Sequence, residues 1–410
     1  MNDDVVKLAL DLGTTTLGGR LISGRGEVLA AAQHPNPQGR FGADVIRRLE
    51  AARNGDDERL QELLLEGIDA LIVTLLGSSG HHRSEIAAAA AAGNPAICHL
   101  LCRYPVDPLL FPPHRSPNPQ GRLIPPTELP LNLPVPLFLF PLVSGFVGGD
   151  LVAFLFGLDP VVEGTLVVDV GTNGEIALFD GAGWWATSVA AGPAFEGGDI
   201  SSGMAWREGA VEGVEREGDR WRLQVVGGGT PRGVCGSGLA EVIAAALEDG
   251  LIDGRGRIVA PLEVSTNLAR YIVPGEKGND LRLYRGAAEE VVLTQEDVRH
   301  FQLAKGAVHA GVRCLTERAG FSGEQIREVV LTGAFGFSLR SSVLKRVAML
   351  PENMLDKVRF FSDGVLHGLC RALTETEGVE RVEDLARRIR PFPLSGTPAF
   401  EEAFLQALNF

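Results

Sequence analysis

Cysteine, tyrosine and basic residues are all scarce in this 410-residue chain. It holds five cysteines and three tyrosines, and 38 Lys and Arg face 52 Asp and Glu, for a formal charge of −14. An odd number of scattered cysteines excludes a disulfide scaffold and suits a reducing cytoplasm, the expected compartment. The acidic balance excludes a sequence-independent grip on nucleic acid, which needs clustered cations. No basic stretch or cleavage site precedes the first apolar run, so no secretory leader is expected. The uncharged stretch 129–149 is long enough for a bilayer, but Pro130, Pro134, Pro136 and Pro141 interrupt it. Each proline removes an N–H that lipid could not replace, so a buried strand and loop is expected there and no membrane partner. The 51 glycines follow no three-residue period, which rules out a collagen-like chain. What is present is apolar: 45 % of residues are hydrophobic, ample for a core, and the length suits two or three domains.

Three segments share one design, an apolar run that stops at a small, glycine-rich turn. Val5–Leu10 leads into Asp11-Leu12-Gly13-Thr14-Thr15-Thr16, and Leu166–Val168 leads into Asp169-Val170-Gly171-Thr172-Asn173-Gly174-Glu175. Val329–Leu331 leads into Thr332-Gly333-Ala334-Phe335-Gly336. After the first two turns the chain is strand-like again, over Gly18–Ile22 and Ile176–Phe179. That pattern is strand, tight turn, strand, and not the strand, turn, helix of a dinucleotide fold. Recurrence of Asp-x-Gly-Thr half a chain apart predicts two related halves.

Residues 105–141 carry half of the 24 prolines and predict an irregular close to the first half. A short apolar helix is expected over Gly149–Gly157, and others begin at Gly236 and at Thr294, where Asp297 completes a capping box. Ala87–Ala92 suit a helix by propensity, but a strand ending at the Gly93-Asn94 turn is the reading adopted. The expected division is a first lobe over 1–149 and a second over 150–410, with an inserted subdomain at about 250–292.

The turns carry the chemistry. Gly13-Thr14-Thr15-Thr16 offers successive backbone N–H groups and three hydroxyls, a cradle for phosphate oxygens. A carboxylate beside such a turn repels phosphate but can hold hydrated Mg²⁺, so Asp11 and Asp169 are the candidate metal residues. The glycines of Gly333-Ala334-Phe335-Gly336 allow close backbone approach to a flat ligand such as adenosine.

In this order the three turns resemble the phosphate 1, phosphate 2 and adenosine motifs of the actin, sugar-kinase and heat-shock-chaperone ATPases. Within that superfamily the chain is similar to the reductive activators of corrinoid enzymes. Matching words are Asn36-Pro37-Gln38 with Phe41–Val45, Gly93-Asn94 with His99-Leu100, and Gly145–Asp150. Further matches are Asp169–Glu175, Ala190–Gly198, Gly233–Gly238 and Leu303-Ala304-Lys305.

The resemblance implies a two-lobed α/β fold of duplicated ribonuclease-H-like mixed sheets flanked by helices. It also implies ATP with Mg²⁺ in a cleft, hydrolysis, and return of a corrinoid protein from Co(II) to Co(I). By the same resemblance Asp11, Gly13, Thr14, Thr15 and Thr16 grip one part of the nucleotide, and Gly171, Thr172, Asn173 and Gly174 another. Gly333, Ala334, Phe335 and Gly336 line the adenosine, Asp150 orients the attacking water, and Asp169 and Glu175 complete the catalytic set. Relatives carry a ferredoxin-like domain with four clustered cysteines. Here Cys98, Cys102, Cys235, Cys314 and Cys370 are dispersed, so no iron–sulfur cluster and a separate low-potential electron donor are expected. Two positions depart from the family pattern: Asp363-Gly364 stands where Gly-Asn is usual, and Gly93-Asn94 is followed by Pro95-Ala96.

A small-molecule kinase and a non-hydrolysing nucleotide-switched binding module are the rival functions, and a homodimer is compatible with the sequence. Cys235 reads as a packed thiol, and Cys98, His99 and Cys102 as core rather than a metal site. Glu196 and Asp199 suit either Mg²⁺ and water or a plain turn, and Lys305 either the nucleotide or the surface.

Overall fold

The computed structural model describes residues 5–112, 114, 120–158, 160–287, 289–333, 339–394 and 396–410. The chain divides into two compact units, one of residues 1–161, 182–186 and 363–391, the other of 162–181, 187–362 and 392–410.

The first unit opens with β1 (Val6–Leu12), β2 (Thr16–Ser23) and β3 (Val28–Pro35), then α1 (Val45–Ala51) and α2 (Asp57–Ser79). It continues through β4 (Ile86–Gly93), α3 (Pro95–Cys102), α4 (Asp107–Leu110), β5 (Arg122–Ile124), β6 (Leu137–Leu139) and α5 (Gly149–Leu158). The alanine run is therefore a strand. It pairs in parallel with β1, and Ala89–Ala92 are buried, so packing overrides helix propensity. Sheet order is β3-β2-β1-β4-β6-β5. Helix α2 lays Leu64, Ile68, Leu71, Ile72 and Leu75 into this core. Its close approach needs a missing side chain on the sheet: a Cβ at Gly19 of β2 would lie 2.9 Å from Leu75.

The second unit holds β7 (Thr165–Val170), β8 (Asn173–Phe179) and most of β9 (Trp184–Ala190), then β10 (Ala210–Glu217), β11 (Arg220–Val225) and β12 (Gly233–Val234). After α6 (Gly236–Glu248) come β13 (Ile272–Gly275), β14 (Gly278–Arg285), β15 (Glu290–Leu293) and α7 (Gln295–Arg318). Then follow β16 (Glu328–Gly333), α8 (Ser341–Arg346) and β17 (Val358–Phe360). Helix α7 starts as its capping box requires: Asp297 N–H donates to Thr294 Oγ1 at 3.1 Å and Thr294 N–H to Asp297 Oδ2 at 2.7 Å. The region of the expected insertion contains the three-stranded sheet β13-β14-β15. A second small sheet, β11-β10-β12, has no counterpart in the sequence reading.

The chain then returns to the first unit as α9 (Gly364–Thr374), α10 (Gly378–Arg387) and β18 (Ile389–Pro391), with β18 parallel to Trp184–Ala186. Helix α11 (Pro398–Gln406) closes the second unit. The units thus differ from the expected 149/150 division, because α5 groups with the first unit through α9. The two helices touch at glycine: a Cβ at Gly364 would strike the Phe154 ring, and one at Gly368 the Ala153 carbonyl.

Both large sheets repeat one order. β3-β2-β1-β4-β6 in the first corresponds to β9-β8-β7-β16-β17 in the second, with an antiparallel hairpin leading to parallel neighbours in each. The expectation of two related halves holds at the level of topology.

Candidate active site

In the first unit β1 and β2 form a hairpin in which Asp11 faces Gly18 and Leu12 faces Leu17, leaving Gly13–Thr16 at the bend. Side chains from far along the chain hold this bend. Asn36 Nδ2 donates to the Gly13 carbonyl at 2.9 Å, and Asn36 N–H donates to the Thr15 carbonyl at 2.8 Å. Arg48, 1 % exposed, donates from Nη1 to the Thr14 carbonyl at 2.8 Å and from Nε to the Gly42 carbonyl at 2.9 Å. Asn94 Nδ2 donates to Thr14 Oγ1 at 2.9 Å, while its Oδ1 caps α3 by accepting from Ile97 N–H at 3.0 Å. Thr14 is buried, and Thr15 and Thr16 are exposed.

Asp150 opens α5 beside the corner made by Gly93 and Asn94. The place where Gly148 would carry a Cβ lies 2.6 Å from the Gly93 carbonyl oxygen, 2.6 Å from Asn94 Cα and 2.7 Å from Asp150 Oδ1. Burial pushes the Asp150 carboxyl up to about 6, against the opposing pull of backbone N–H donors such as that of Leu151 at 2.8 Å. A carboxyl that titrates there is ionised at neutral pH yet basic enough to accept a proton.

In the second unit the hairpin β7–β8 sets Asp169 directly opposite Glu175, where the first hairpin has Asp11 opposite Gly18. Ser188 donates to Glu175 Oε1 at 3.2 Å. Strand β16 runs alongside with Thr332 beside Asp169 and Gly333 beside Val170. Gly333 has a φ of +94°, and a Cβ there would strike the Val170 carbonyl and lie 2.6 Å from Asp169 Oδ1. The carboxylate of Asp169 therefore occupies space that only glycine leaves open.

The bend at Thr172 is held differently from its counterpart. Thr172 N–H donates to Glu196 Oε1 at 3.1 Å and its hydroxyl to Glu196 Oε2 at 3.0 Å, while Gly192 N–H donates to the Thr172 carbonyl at 2.9 Å. The N–H and the hydroxyl of Thr172 thus both meet one carboxylate, and Glu196 is a clamp on the turn. Asn173 and Gly174 begin β8. Ala334, Phe335 and Gly336 lie outside the described residues, so of the adenosine motif only Gly333 is described.

One other expectation changes, and the readings of the thiols and of His99 stand. Lys305 reaches neither a nucleotide site nor the surface. It is buried in α7, donates to the Asn409 carbonyl and lies 5.0 Å from the Phe410 ring, and burial draws its ammonium down to about 8. Cys235 is a packed thiol at the start of α6, 3.3 Å from both the Val211 carbonyl and Ser237 Oγ. Cys98 is buried, and desolvation holds its thiol well above the usual range. His99 is bonded to the Pro105 carbonyl at 2.9 Å, as a core residue would be. Among the described residues no three His, Cys, Asp or Glu side chains gather as a metal-holding group. Mg²⁺ does not require one, since it retains waters and takes one or two carboxylates together with phosphates. The Asp169 carboxylate, 2.6 Å from where a Cβ at Gly333 would lie, is a group of that kind.

Sequence reasoning singled out Asn36 and Gly93-Asn94 as family words without a role, and it passed over Arg48 entirely. The signal was faint: an arginine four residues after a capping Asp44 reads as a solvated helix face.

No described helix is long and apolar enough to cross a membrane. Residues 163–410 match the family described as the C-terminal domain of RACo, the ASKHA domain, and residues 6–159 match the RACo middle region. The fold is thus that of the actin-like ATPases. The corrinoid activation enzyme RamQ of Eubacterium limosum is 29 % identical over 428 residues, covering 98 % of this chain and 70 % of that protein. A reductase of the Co(II) methylated amine-specific corrinoid protein in Methanosarcina barkeri is 25 % identical, over 93 % of this chain and 72 % of its own length. The solved structure of a reductive activator for corrinoid, iron–sulfur protein superposes with a TM-score of 0.91 at 30 % identity, covering all of this chain and 67 % of that one. The chain belongs to the RACo family.

Proposed function

We propose that this protein binds ATP, hydrolyses it, and uses the cycle to support reduction of a corrinoid protein from Co(II) to Co(I). The observation that carries the reading is the family match through both acidic hairpins, joined to relatives whose names state corrinoid activation and corrinoid reduction. On this reading Gly13–Thr16 holds phosphate oxygens through backbone N–H groups. Asp11 and Asp169 are the carboxylates that serve this nucleotide. Gly171 and Asn173 border the second turn, and Gly333, with Ala334, Phe335 and Gly336, borders the adenosine. Bound Mg²⁺ would be held by Asp11 and Asp169 and would offset phosphate charge. Asp150, ionised above about pH 6, accepts the proton of the attacking water, and Glu175 orders the polar groups beside Asp169.

One electron passes from a separate low-potential donor to cobalt, while ATP and water give ADP and phosphate. Nucleotide turnover assists that uphill electron transfer only if the ATP and ADP states differ in their affinity for the partner's corrinoid state. The five dispersed thiols favour a donor outside this set of cysteines.

The test is an absorbance assay of cob(II) conversion to cob(I), with a candidate corrinoid protein, a low-potential reductant, and ATP present or withheld. ATP-dependent conversion is the expected result. ATP consumption that responds to a small-molecule acceptor and never to a corrinoid protein would overturn the proposal.

A further inference from the structure

The backbone of the first hairpin turn is braced through its carbonyl groups. Three successive carbonyls, those of Gly13, Thr14 and Thr15, are taken by Asn36 Nδ2, Arg48 Nη1 and Asn36 N–H at 2.9, 2.8 and 2.8 Å. A trans peptide is planar, and its C=O and N–H point in opposite directions. Fixing those three carbonyls toward the 36–48 segment therefore directs the N–H groups of Thr14, Thr15 and Thr16 toward the other side of the turn. Successive N–H groups presented on one side form an anion-binding concavity. Arg48 holds the middle of the three peptides and is the only one of the braces that carries a charge.

We propose that Arg48 is the positioning residue of the phosphate turn. Resting on the reading of Gly13–Thr16 as the phosphate cradle, it does not touch the nucleotide but sets the direction of the cradle's donors. Its other contact, from Nε to the Gly42 carbonyl at 2.9 Å, gives the guanidinium a second fixed point. A guanidinium can span Thr14 and Gly42 at once because its donors form a rigid fork, whereas an ammonium is a single point charge on a flexible stem. Burial completes the case. With Arg48 1 % exposed, water has little access to take over the Thr14 carbonyl and let the peptide turn.

The experiment compares ATP and AMP binding by calorimetry in the wild type and in Arg48→Lys, with the melting temperature of each recorded. The expected result is a loss of about tenfold or more in ATP affinity with AMP affinity little changed, so that preference for the longer phosphate chain shrinks. A folded Arg48→Lys that keeps the wild-type ratio of ATP to AMP affinity, or loses both equally, overturns the proposal. If Arg48→Lys does not fold, Asn36→Ala carries the test, since it removes the Gly13 brace without leaving a buried charge; the same narrowing is expected, and an unchanged ratio counts against it. Wild-type protein that binds no ATP would instead remove the underlying site, a result distinct from failure of the variant.

Discussion

The two acidic hairpins occupy the same place in two copies of one sheet, yet they are held by opposite chemistry. The bend at Gly13–Thr16 is gripped through its carbonyls by donors from Asn36 and Arg48, and Asn94 adds a bond to the Thr14 hydroxyl. The bend at Thr172 is gripped through its N–H and hydroxyl by the carboxylate of Glu196. Bracing by donors turns a bend's own donors outward, and bracing by an acceptor uses them up. The second hairpin, with Glu175 facing Asp169 where the first has only Gly18 facing Asp11, gathers negative charge. Duplication supplies the frame, and side chains from elsewhere decide what each copy presents.

Breaking the second hairpin's acidic side should have the largest effect. Asp169→Asn is expected to lower ATP turnover by about two to three orders of magnitude while the melting temperature stays within a few degrees, since electrostatic groups at a reacting centre act at that scale. Steady-state hydrolysis with thermal unfolding checks both parts, and unchanged turnover would remove Asp169 from the site.

The paired glycines that end β4 and β16 offer a sharper contrast. Gly333→Ala would force an alanine to a φ of +94° and push its Cβ against Asp169 and the Val170 carbonyl. A loss of about 2–4 kcal/mol is expected. The equivalent Gly93→Ala meets the Leu12 carbonyl at 2.9 Å, a milder crowding, and should cost about half as much. Denaturant unfolding of the two variants would show whether the copies differ in this order.

The raised carboxyl of Asp150 in the first unit supplies a pH test. If it acts ionised, turnover should fall about tenfold for each pH unit below about 6, and Asp150→Asn should abolish that limb along with most of the turnover. The stability sign is the reverse. A carboxyl raised from 3.8 to about 6 favours the folded state most below pH 3.8, and that contribution is lost as pH rises through 6. Asp150→Asn, which keeps an acceptor for Leu151 N–H, should therefore be more stable than wild type at pH 7, by about 1 kcal/mol.

The smallest effect on turnover is expected at the clamp itself. Glu196→Gln retains an acceptor for one Thr172 donor and deprives the other, for a loss of about 1–2 kcal/mol and a modest fall in nucleotide affinity. Glu196→Ala deprives both and should cost more. Equal melting temperatures for wild type and both variants would show that the clamp contributes nothing.

Much of this architecture was legible in the chain because it is written in local patterns. Alternating and continuous apolar runs marked β1, β7 and β16, the Thr294–Asp297 pair marked the start of α7, and repeated Asp-x-Gly-Thr marked the duplication. The alanine run became a strand for a reason its own residues do not state, namely that β1 and β6 lie on either side of it. Lys305 was misread because a lysine on a helix says nothing of the Asn409 carbonyl and Phe410 ring that wait for it.

From sequence alone came the two hairpins, their carboxylates and the class of ligand they suit, since each depends on residues within one turn of one another. Tertiary structure alone decided how the hairpins are braced. Asn36, Arg48 and Asn94 reach the first from 23, 34 and 80 residues away, and Glu196 reaches Thr172 from 24. A hydrogen bond leaves no local signature when its partners are separated by whole strands and helices, so only the folded chain shows which peptide groups are held and which way the remainder face.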